Sequence, residues 1–368
     1  MKSNKEKIFT IILIVALIFS LFTIYVYSND TQKFKVSARA CALYEPQTET
    51  FIYQKNENSR LSMASTTKIM TAIIAIENSE PDEIIHVDDR AIGIEGSSVY
   101  LEKGEALTAK SLVYALMLRS ANDAAAALAY EISGGISEFA DLMNDKAQQL
   151  GLTDTNFKNP HGLDAEGHYT TAHDLAILSA YALKNPTFKE IVSTKKAVID
   201  SSLKSRLIIN HNKLLSYYDG CIGVKTGYTK KSGRSLVGAA EKDGLTLISV
   251  TIDAPDDWAD HKKLLDYGFS VMHSVTLIEK GEYNASIPVI DGTKSTLSVE
   301  NGEAVKIILK GAVPNITRKI ELERFAVAPI SKGDQIGTII FKNGDTEISR
   351  VDIIATEDIQ KQKKKGLF

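Results

Sequence analysis

The chain has 368 residues, more than one hydrophobic core usually holds, so two domains are expected. Its 44% apolar and 24% charged residues fit an ordinary globular protein, and a formal charge of -3 gives no basic surface for nucleic acid. Two cysteines, Cys41 and Cys221, are too few for a disulfide framework and wrongly spaced for a zinc knuckle. Buried free thiols are expected, with a single long-range disulfide as the alternative.

In chain order, Lys2, Lys5 and Lys7 precede an uncharged, mostly apolar run from Ile8 to Tyr27. As a helix that run reaches about 30 Å, enough to span a bilayer. Residues 1–30 are therefore expected to be a signal peptide or a retained N-terminal anchor, and Val26-Tyr27-Ser28 leaves cleavage open. Either reading exports the rest of the chain. Thr31 to Lys35 is a polar tether. A β-hairpin is expected between Phe34 and Tyr53, across a proline-containing turn.

Ser65 to Glu77 has a helical pattern that is apolar on nearly every side, which places it inside a domain. Helices are expected over Lys110 to Leu118, Asn122 to Ile132 and Ser137 to Leu150, the last stopped by Gly151. Thr171-Ala172-His173-Asp174 reads as a capping box opening a helix that Asn185-Pro186 ends. From Gly220 the pattern turns to strands over Ile222 to Thr226, Ser235 to Ala240 and Leu245 to Asp253. A helix from Trp258 to Met272 follows. Short strands between Ala285 and Ile354, separated by turns such as Asn301-Gly302 and Asn343-Gly344, predict a small all-β domain. The basic run Gln360 to Lys365 reads as a disordered end.

Three short motifs carry the chemistry. Ser-x-x-Lys occurs at Ser65/Lys68, Ser193/Lys196 and Ser201/Lys204. Only the first opens an apolar helix; the other two lie in a polar, lysine-rich stretch without an apolar face. At i and i+3 the Ser65 hydroxyl and the Lys68 amine share a face. Burial lowers a lysine's affinity for its proton and so suits Lys68 to act as a base. Alone, the pair equally suits a plain N-cap followed by a solvated lysine. Ser120-Ala121-Asn122 adds a hydroxyl for proton relay and an amide that either meets a substrate carbonyl or steadies Lys68; a simple helix cap is the other reading. Lys225-Thr226-Gly227, followed by Tyr228, lies on an expected strand. Its lysine and threonine suit a substrate carboxylate, and its glycine allows close approach of a ligand backbone. An edge-strand lysine guarding against aggregation is the structural alternative. The order and spacing of all three favour one catalytic site.

With these motifs in hand, the chain resembles the low-molecular-mass D-alanyl-D-alanine carboxypeptidases, which are penicillin-binding serine peptidases. Met63-Ala64-Ser65-Thr66-Thr67-Lys68-Ile69-Met70-Thr71, Ser120-Ala121-Asn122-Asp123-Ala124, Asn159-Pro160-His161-Gly162-Leu163 and Asp219-Gly220 ahead of Lys225-Thr226-Gly227 carry the resemblance. It is close over residues 36 to 270 and less specific beyond. It implies an α/β fold: a serine β-lactamase/penicillin-binding transpeptidase-like domain, a mixed sheet with a helical cluster, over residues 31–275. A β-rich domain over 276–356 and a basic tail over 357–368 would follow.

The resemblance implies catalytic roles for Ser65 as nucleophile, Lys68 as base and Ser120 as proton relay. Asn122, Lys225, Thr226, Gly227 and Tyr228 would bind substrate, with the backbone N–H groups of Ser65 and Tyr228 as oxyanion donors. The implied partners are peptidoglycan stem peptides ending in D-Ala-D-Ala, β-lactam inhibitors, and a membrane if the N-terminal segment stays uncleaved. No cofactor and no metal are implied. The implied location is the extracytoplasmic face of a bacterial cell membrane, or the cell wall. Many relatives carry histidine where this chain has Tyr228, and often end in a long amphipathic helix that residues 357–368 do not supply.

A β-lactamase is the nearest rival, but Leu163-Asp164-Ala165-Glu166-Gly167 lacks the Glu-x-x-Leu-Asn setting of a deacylating glutamate. A non-enzymatic sensor would show a broken motif. A Ser-His-Asp hydrolase would show a Gly-x-Ser-x-Gly elbow. The scattered histidines, His161 and His211 among them, read as structural or loop residues, and no His or Cys cluster suggests a metalloenzyme.

Overall fold

The computed structural model describes residues 35–363, and Ala38 onward forms one compact unit. The apolar segment from Ile8 to Tyr27 and most of the polar tether lie outside the described residues. Among the described residues no helix is long and apolar enough to cross a membrane.

The expected hairpin is strands β1 (Ala40–Glu45) and β2 (Thr50–Lys55). A 3-10 turn over Ala64–Thr67 leads into helix α1 (Lys68–Asn78). Small strands β3 (Ile84–His86) and β4 (Ala106–Thr108) pair ahead of helices α2 (Ala109–Leu118), α3 (Asn122–Ser133) and α4 (Ile136–Gln149). Helix α5 (Ala172–Leu183) opens on Thr171, whose hydroxyl accepts from Asp174 N–H at 3.0 Å, as a cap should.

The stretch after Asn185-Pro186 differs from expectation. It holds a further helix, α6 (Pro186–Ser193), with Asn185 as its N-cap and Pro186 as its first residue. Proline has no N–H to lose at that position, so the same dipeptide that stops one helix starts the next. Phe188, Ile191 and Val192 give α6 a buried face, and a hairpin of β5 (Lys196–Asp200) and β6 (Ser205–Ile209) follows. The hairpin is tied down by a two-pronged pair from Arg206 to the fully buried Glu105. A short helix α7 (Leu214–Tyr217) precedes β7 (Cys221–Thr229), β8 (Gly233–Lys242), β9 (Leu245–Ile252) and helix α8 (Asp257–Val271).

These strands form one sheet in the order β2-β1-β9-β8-β7. The α/β class holds, but the sheet is antiparallel at every pairing rather than mixed. Hairpin turns join β7 to β8 and β8 to β9, and a two- or three-residue turn cannot join parallel strands. In β9, Ile248, Val250 and Ile252 belong to the main core with the helical cluster. The opposite face meets α8, where His261 bonds Ser249 at 2.7 Å and Thr251 at 2.9 Å. A strand covered on both faces explains its near-continuous apolar run. Strand β7, carrying Lys225-Thr226-Gly227, is the sheet's edge and borders the helical cluster.

Beyond α8 the chain is all β: β10 (Met272–Ile278), β11 (Asn284–Ile290), β12 (Thr296–Asn301), β13 (Val305–Lys310), β14 (Ile316–Leu322), β15 (Ala326–Val327), β16 (Gln335–Asn343) and β17 (Thr346–Ala355). Six of them make a sheet ordered β14-β16-β17-β12-β11-β15 around a second core, whose buried members include Leu297, Ile339, Ile353 and Ile359. The start of the basic run is not a loose end. Ile359 is buried and bridged to Ile330, Lys361 is bridged to Gly292, and Gln362 N–H donates to Asp291 O at 2.7 Å. One buried isoleucine anchors the residues that follow it.

Candidate active site

Ser65 stands on the 3-10 turn, not on the α-helix, which begins at Lys68. Thr66 and Thr67 turn their hydroxyls back onto the carbonyls of Met63 and Ala64, at 2.6 and 2.8 Å, and hold the turn. In a 3-10 turn residues i and i+3 eclipse, so the Ser65–Lys68 proximity survives the change of helix type. The Lys68 Nζ lies 3.1 Å from Ser65 Oγ.

Lys68 is completely buried. Its Nζ also donates to Asn122 Oδ1 at 2.7 Å and to the carbonyl of His161. Burial first, then the positive charge of Lys225, holds its pKa well below the ordinary lysine value, and Asp123 opposes them. A neutral amine has two N–H groups and one lone pair. The two fixed acceptors, Asn122 Oδ1 and His161 O, take the two N–H groups, which leaves the lone pair for the Ser65 hydroxyl proton.

The loop Asn159-Pro160-His161-Gly162-Leu163 braces this arrangement. Pro160 O accepts from Thr71 Oγ1 at 2.6 Å, and Asn159 closes the loop through Gly162 N–H and Leu163 O. Gly162 has φ +85°, and a Cβ there would lie 2.0 Å from Ala64 O, so the loop backbone touches the residue before Ser65. His161 is buried and its pKa drops to about 3, through burial and then the nearby Lys68 and His168, so its ring adds no charge beside Lys68.

Asn122 opens α3, while Ser120 lies just ahead of it with φ +60°, a left-handed conformation unusual for serine. Asn122 Nδ2 donates to Glu95 O at 2.5 Å. The neighbouring Asp123 carboxylate accepts from Ser98 Oγ at 2.5 Å and Leu101 N–H at 3.0 Å, and so fastens the segment carrying Ser97 to this helix. On β7, Gly227 packs against the same turn: a Cβ there would sit 3.0 Å from Ser65 N. Lys225 is buried and, among the described residues, its amine donates to the carbonyl of Thr226 alone, at 3.0 Å. Burial lowers its pKa to about 7. Among the described residues Lys225 has no carboxylate partner, so its charged form is left without a counter-ion.

A cleft of about 300 Å³ opens over these groups, and Ser65, Ser120, Thr226, Gly227 and Tyr228 line it. Lys68, Asn122 and Lys225 lie behind its wall, each buried. All eight residues singled out from the sequence thus converge on one place. The structure adds Ser97, His211, Arg234, Asp257 and Trp258 to the lining. Arg234 is paired with Asp257 at 3.0 Å and stacks over Trp258. His211 is brought to the cleft by a long-range bond from its N–H to Leu118 O. Nothing in the local sequence signals these residues. Glu166 is exposed and is absent from the lining. Cys41 and Cys221 are both free; Cys41 is fully buried and Cys221 partly so. No group of His, Cys, Asp or Glu suited to a metal occurs among the described residues.

A serine hydroxyl beside one buried lysine, with a second buried lysine on the same cleft, supplies the groups a serine hydrolase needs. Residues 27–256 match the family model described as D-alanyl-D-alanine carboxypeptidase, and residues 273–361 match that of the penicillin-binding protein 5 C-terminal domain. The chain belongs to the D-alanyl-D-alanine carboxypeptidase family. It is 32% identical to the D-alanyl-D-alanine carboxypeptidase DacF of Bacillus subtilis, over 90% of this chain and 88% of the relative. With DacC of Escherichia coli it shares 31% identity over 88% and 85%. Among solved structures, the D-alanyl-D-alanine carboxypeptidase DacD of Francisella tularensis superposes with a TM-score of 0.64 at 27% identity, covering 89% of this chain and 95% of that one. A Streptomyces K15 DD-transpeptidase mutant superposes with a TM-score of 0.62 at 32% identity, covering 64% of this chain and 99% of that one. The chain is a serine-type D-Ala-D-Ala carboxypeptidase of cell-wall metabolism.

Proposed function

We propose that Ser65 is the nucleophile that attacks the carbonyl between two D-alanines. Lys68, as a neutral amine, takes its proton, and Ser120 passes a proton to the departing amine. The amide C–N bond breaks, D-alanine leaves, and water hydrolyses the ester on Ser65. The N–H groups of Ser65 and Tyr228 form the oxyanion site, and Asn122 orients both Lys68 and the substrate. Lys225 and Thr226 receive the terminal carboxylate, with Gly227 allowing the peptide to lie against the strand. The observation that carries this reading is the bonding of Lys68: two acceptors hold its N–H groups, and its third direction ends on Ser65 Oγ at 3.1 Å.

The substrates are peptidoglycan stem peptides ending in D-Ala-D-Ala, and β-lactams acylate the same serine. The chain works outside the cytoplasm, exported by its N-terminal apolar segment, which also anchors it to the membrane if it stays uncleaved. A catalytic part to about residue 275, a β-rich part over 276–356 and a tail from 357 is the division that the two separate cores support. Ser65→Ala tests the assignment. Release of D-alanine from a D-Ala-D-Ala tripeptide should stop, together with penicillin labelling; labelling that persists contradicts it.

A further inference from the structure

The β5–β6 hairpin has two faces of opposite character. Inward, Ile199 and Ile208 join the main core, and Arg206 is held by the buried Glu105. Outward, Val198 stands directly opposite Leu207, and Ile209 opposite Lys196. Val198 is 61% exposed, Leu207 65% and Ile209 58%; Leu203, at the hairpin tip, is 54% exposed. A single exposed apolar side chain is ordinary, but here the pleat sets several side by side on one firmly held face. Two exposed tyrosines flank it. Tyr100 shares a depression with Leu207 and Ile209, and Tyr217 shares a groove with Ile209.

The charge around this face is one-sided. Residues 194–217 carry five lysines or arginines and one aspartate, in a chain whose formal charge is -3. Lys195, Lys196 and Lys213 are exposed, and none of them pairs with a carboxylate among the described residues. Apolar side chains edged by lysine and tyrosine suit the boundary between lipid headgroups and acyl chains, where the ring or the stem is covered and the polar end stays wet.

The chain enters the compact unit close to this face. Ala38 N–H donates to Asp260 Oδ2 at 2.9 Å. Two residues earlier on α8, the Trp258 ring lies 6.4 Å from that of Tyr217. The apolar run ends at Tyr27, so ten residues, Ser28 to Ser37, separate it from Ala38. Even fully extended they reach about 36 Å at most. An anchor formed by that run therefore keeps the bilayer within reach of the hairpin.

We propose that the outer face of the β5–β6 hairpin rests on an anionic lipid surface. Val198, Leu203, Leu207 and Ile209 enter the headgroup boundary, and Lys195, Lys196 and Lys213 meet lipid phosphates. A face seated on lipid fixes the height of the catalytic cleft above the bilayer, which a ten-residue tether alone leaves free.

The inference rests on the export and anchoring proposed above, and the test separates the two. The full chain is reconstituted in vesicles of phosphatidylcholine and phosphatidylglycerol with brominated acyl chains, which quench a nearby indole. Leu207→Trp places a reporter on the face, and Val313→Trp places a control at an exposed position of the β-rich part. The signal of Trp258, the chain's one tryptophan, is subtracted using the parent. The hairpin reporter should be quenched at least about threefold more than the control. Adding Lys195→Glu/Lys196→Glu should remove at least about half of that excess. Penicillin acylation should stay within about twofold of the parent, because neither lysine lines the catalytic cleft. A hairpin reporter quenched no more than the control overturns the inference, whether the face stays in water or a second copy covers it. Quenching that ignores the charge reversal overturns the role of the lysines. Release of the full chain from the vesicles by high salt overturns the anchor reading, and quenching of the hairpin reporter at low salt then upholds the face on its own.

Discussion

Lys68 Nζ and Ser65 Oγ stand 3.1 Å apart, and the amine is pinned from behind by Asn122 Oδ1 and the His161 carbonyl. Among the described residues Ser65 is the one hydroxyl that the Lys68 amine bonds, so it is the group the proposed base would deprotonate. A side chain that is always charged cannot serve in its place. Lys68→Arg should therefore lower kcat/KM by about 10²–10⁴-fold. Stopped-flow acylation by penicillin would show the loss directly; an acylation rate near that of the parent would rule out the base role.

The two buried lysines set a pH profile. Lys68 has a lowered pKa, so as the proposed base it would be neutral at pH values where an ordinary lysine is protonated, and activity should fall as acid protonates it. Burial lowers the Lys225 pKa to about 7, and in the proposed role it would hold a carboxylate only when charged. kcat/KM, which reports the free enzyme, should fall on the alkaline side from about pH 7, whereas kcat should hold further because a bound carboxylate keeps Lys225 protonated. Lys225→Arg should move the alkaline fall of kcat/KM upward. An unmoved limb would assign it to another group.

Lys225 also bears on stability. Its folded pKa of about 7 lies below its ordinary 10.5. Between those values the unfolded chain binds more protons than the folded one, so this residue makes stability rise with pH over that window and leaves it flat below. Lys225→Met should stabilise the ligand-free protein at pH 7 by about 1–3 kcal/mol, and the gain should shrink as pH approaches 10.5. Thermal melts of both proteins across that range measure it. A gain that grows with pH would contradict the sign.

Ser120 combines a hydroxyl in the cleft with a left-handed backbone at φ +60°. Ser120→Ala and Ser120→Gly separate the two. Both remove the hydroxyl and should slow turnover by about 10²-fold or more. Only the glycine variant relieves the backbone, and it should be about 1 kcal/mol more stable than the alanine variant. Equal melting curves would mean that the φ is not costly there.

Gly162 touches Ala64 O too closely for any side chain. Gly162→Ala should push the loop away from the 3-10 turn, destabilise by about 1–3 kcal/mol, and slow acylation of Ser65 as the His161 carbonyl withdraws from Lys68. Urea unfolding and penicillin acylation on the same variant check both effects.

Much of this site was legible in the sequence because its side chains act in order-preserving motifs. Ser65 and Lys68 keep their i, i+3 relation in a 3-10 turn as well as in an α-helix, so an error in helix type did no harm. The capping of α5 by Thr171 and the strand of Lys225 were equally local. What stayed hidden acts through backbone or across long separations. His161 contributes a carbonyl, which its residue type cannot announce. His211, Arg234 and Asp257 reach the cleft only through tertiary packing. The α6 helix was missed because Pro186 both ends and begins a helix, and the antiparallel sheet because strand order is not local information.

The most direct measurement is mass spectrometry of the protein after brief exposure to penicillin and, separately, to a D-Ala-D-Ala tripeptide. A single penicilloyl adduct on Ser65 that is lost slowly, with one D-alanine released per peptide consumed, is the predicted result. An adduct on Ser120 or elsewhere, or rapid catalytic hydrolysis of the lactam without D-alanine release, would contradict it.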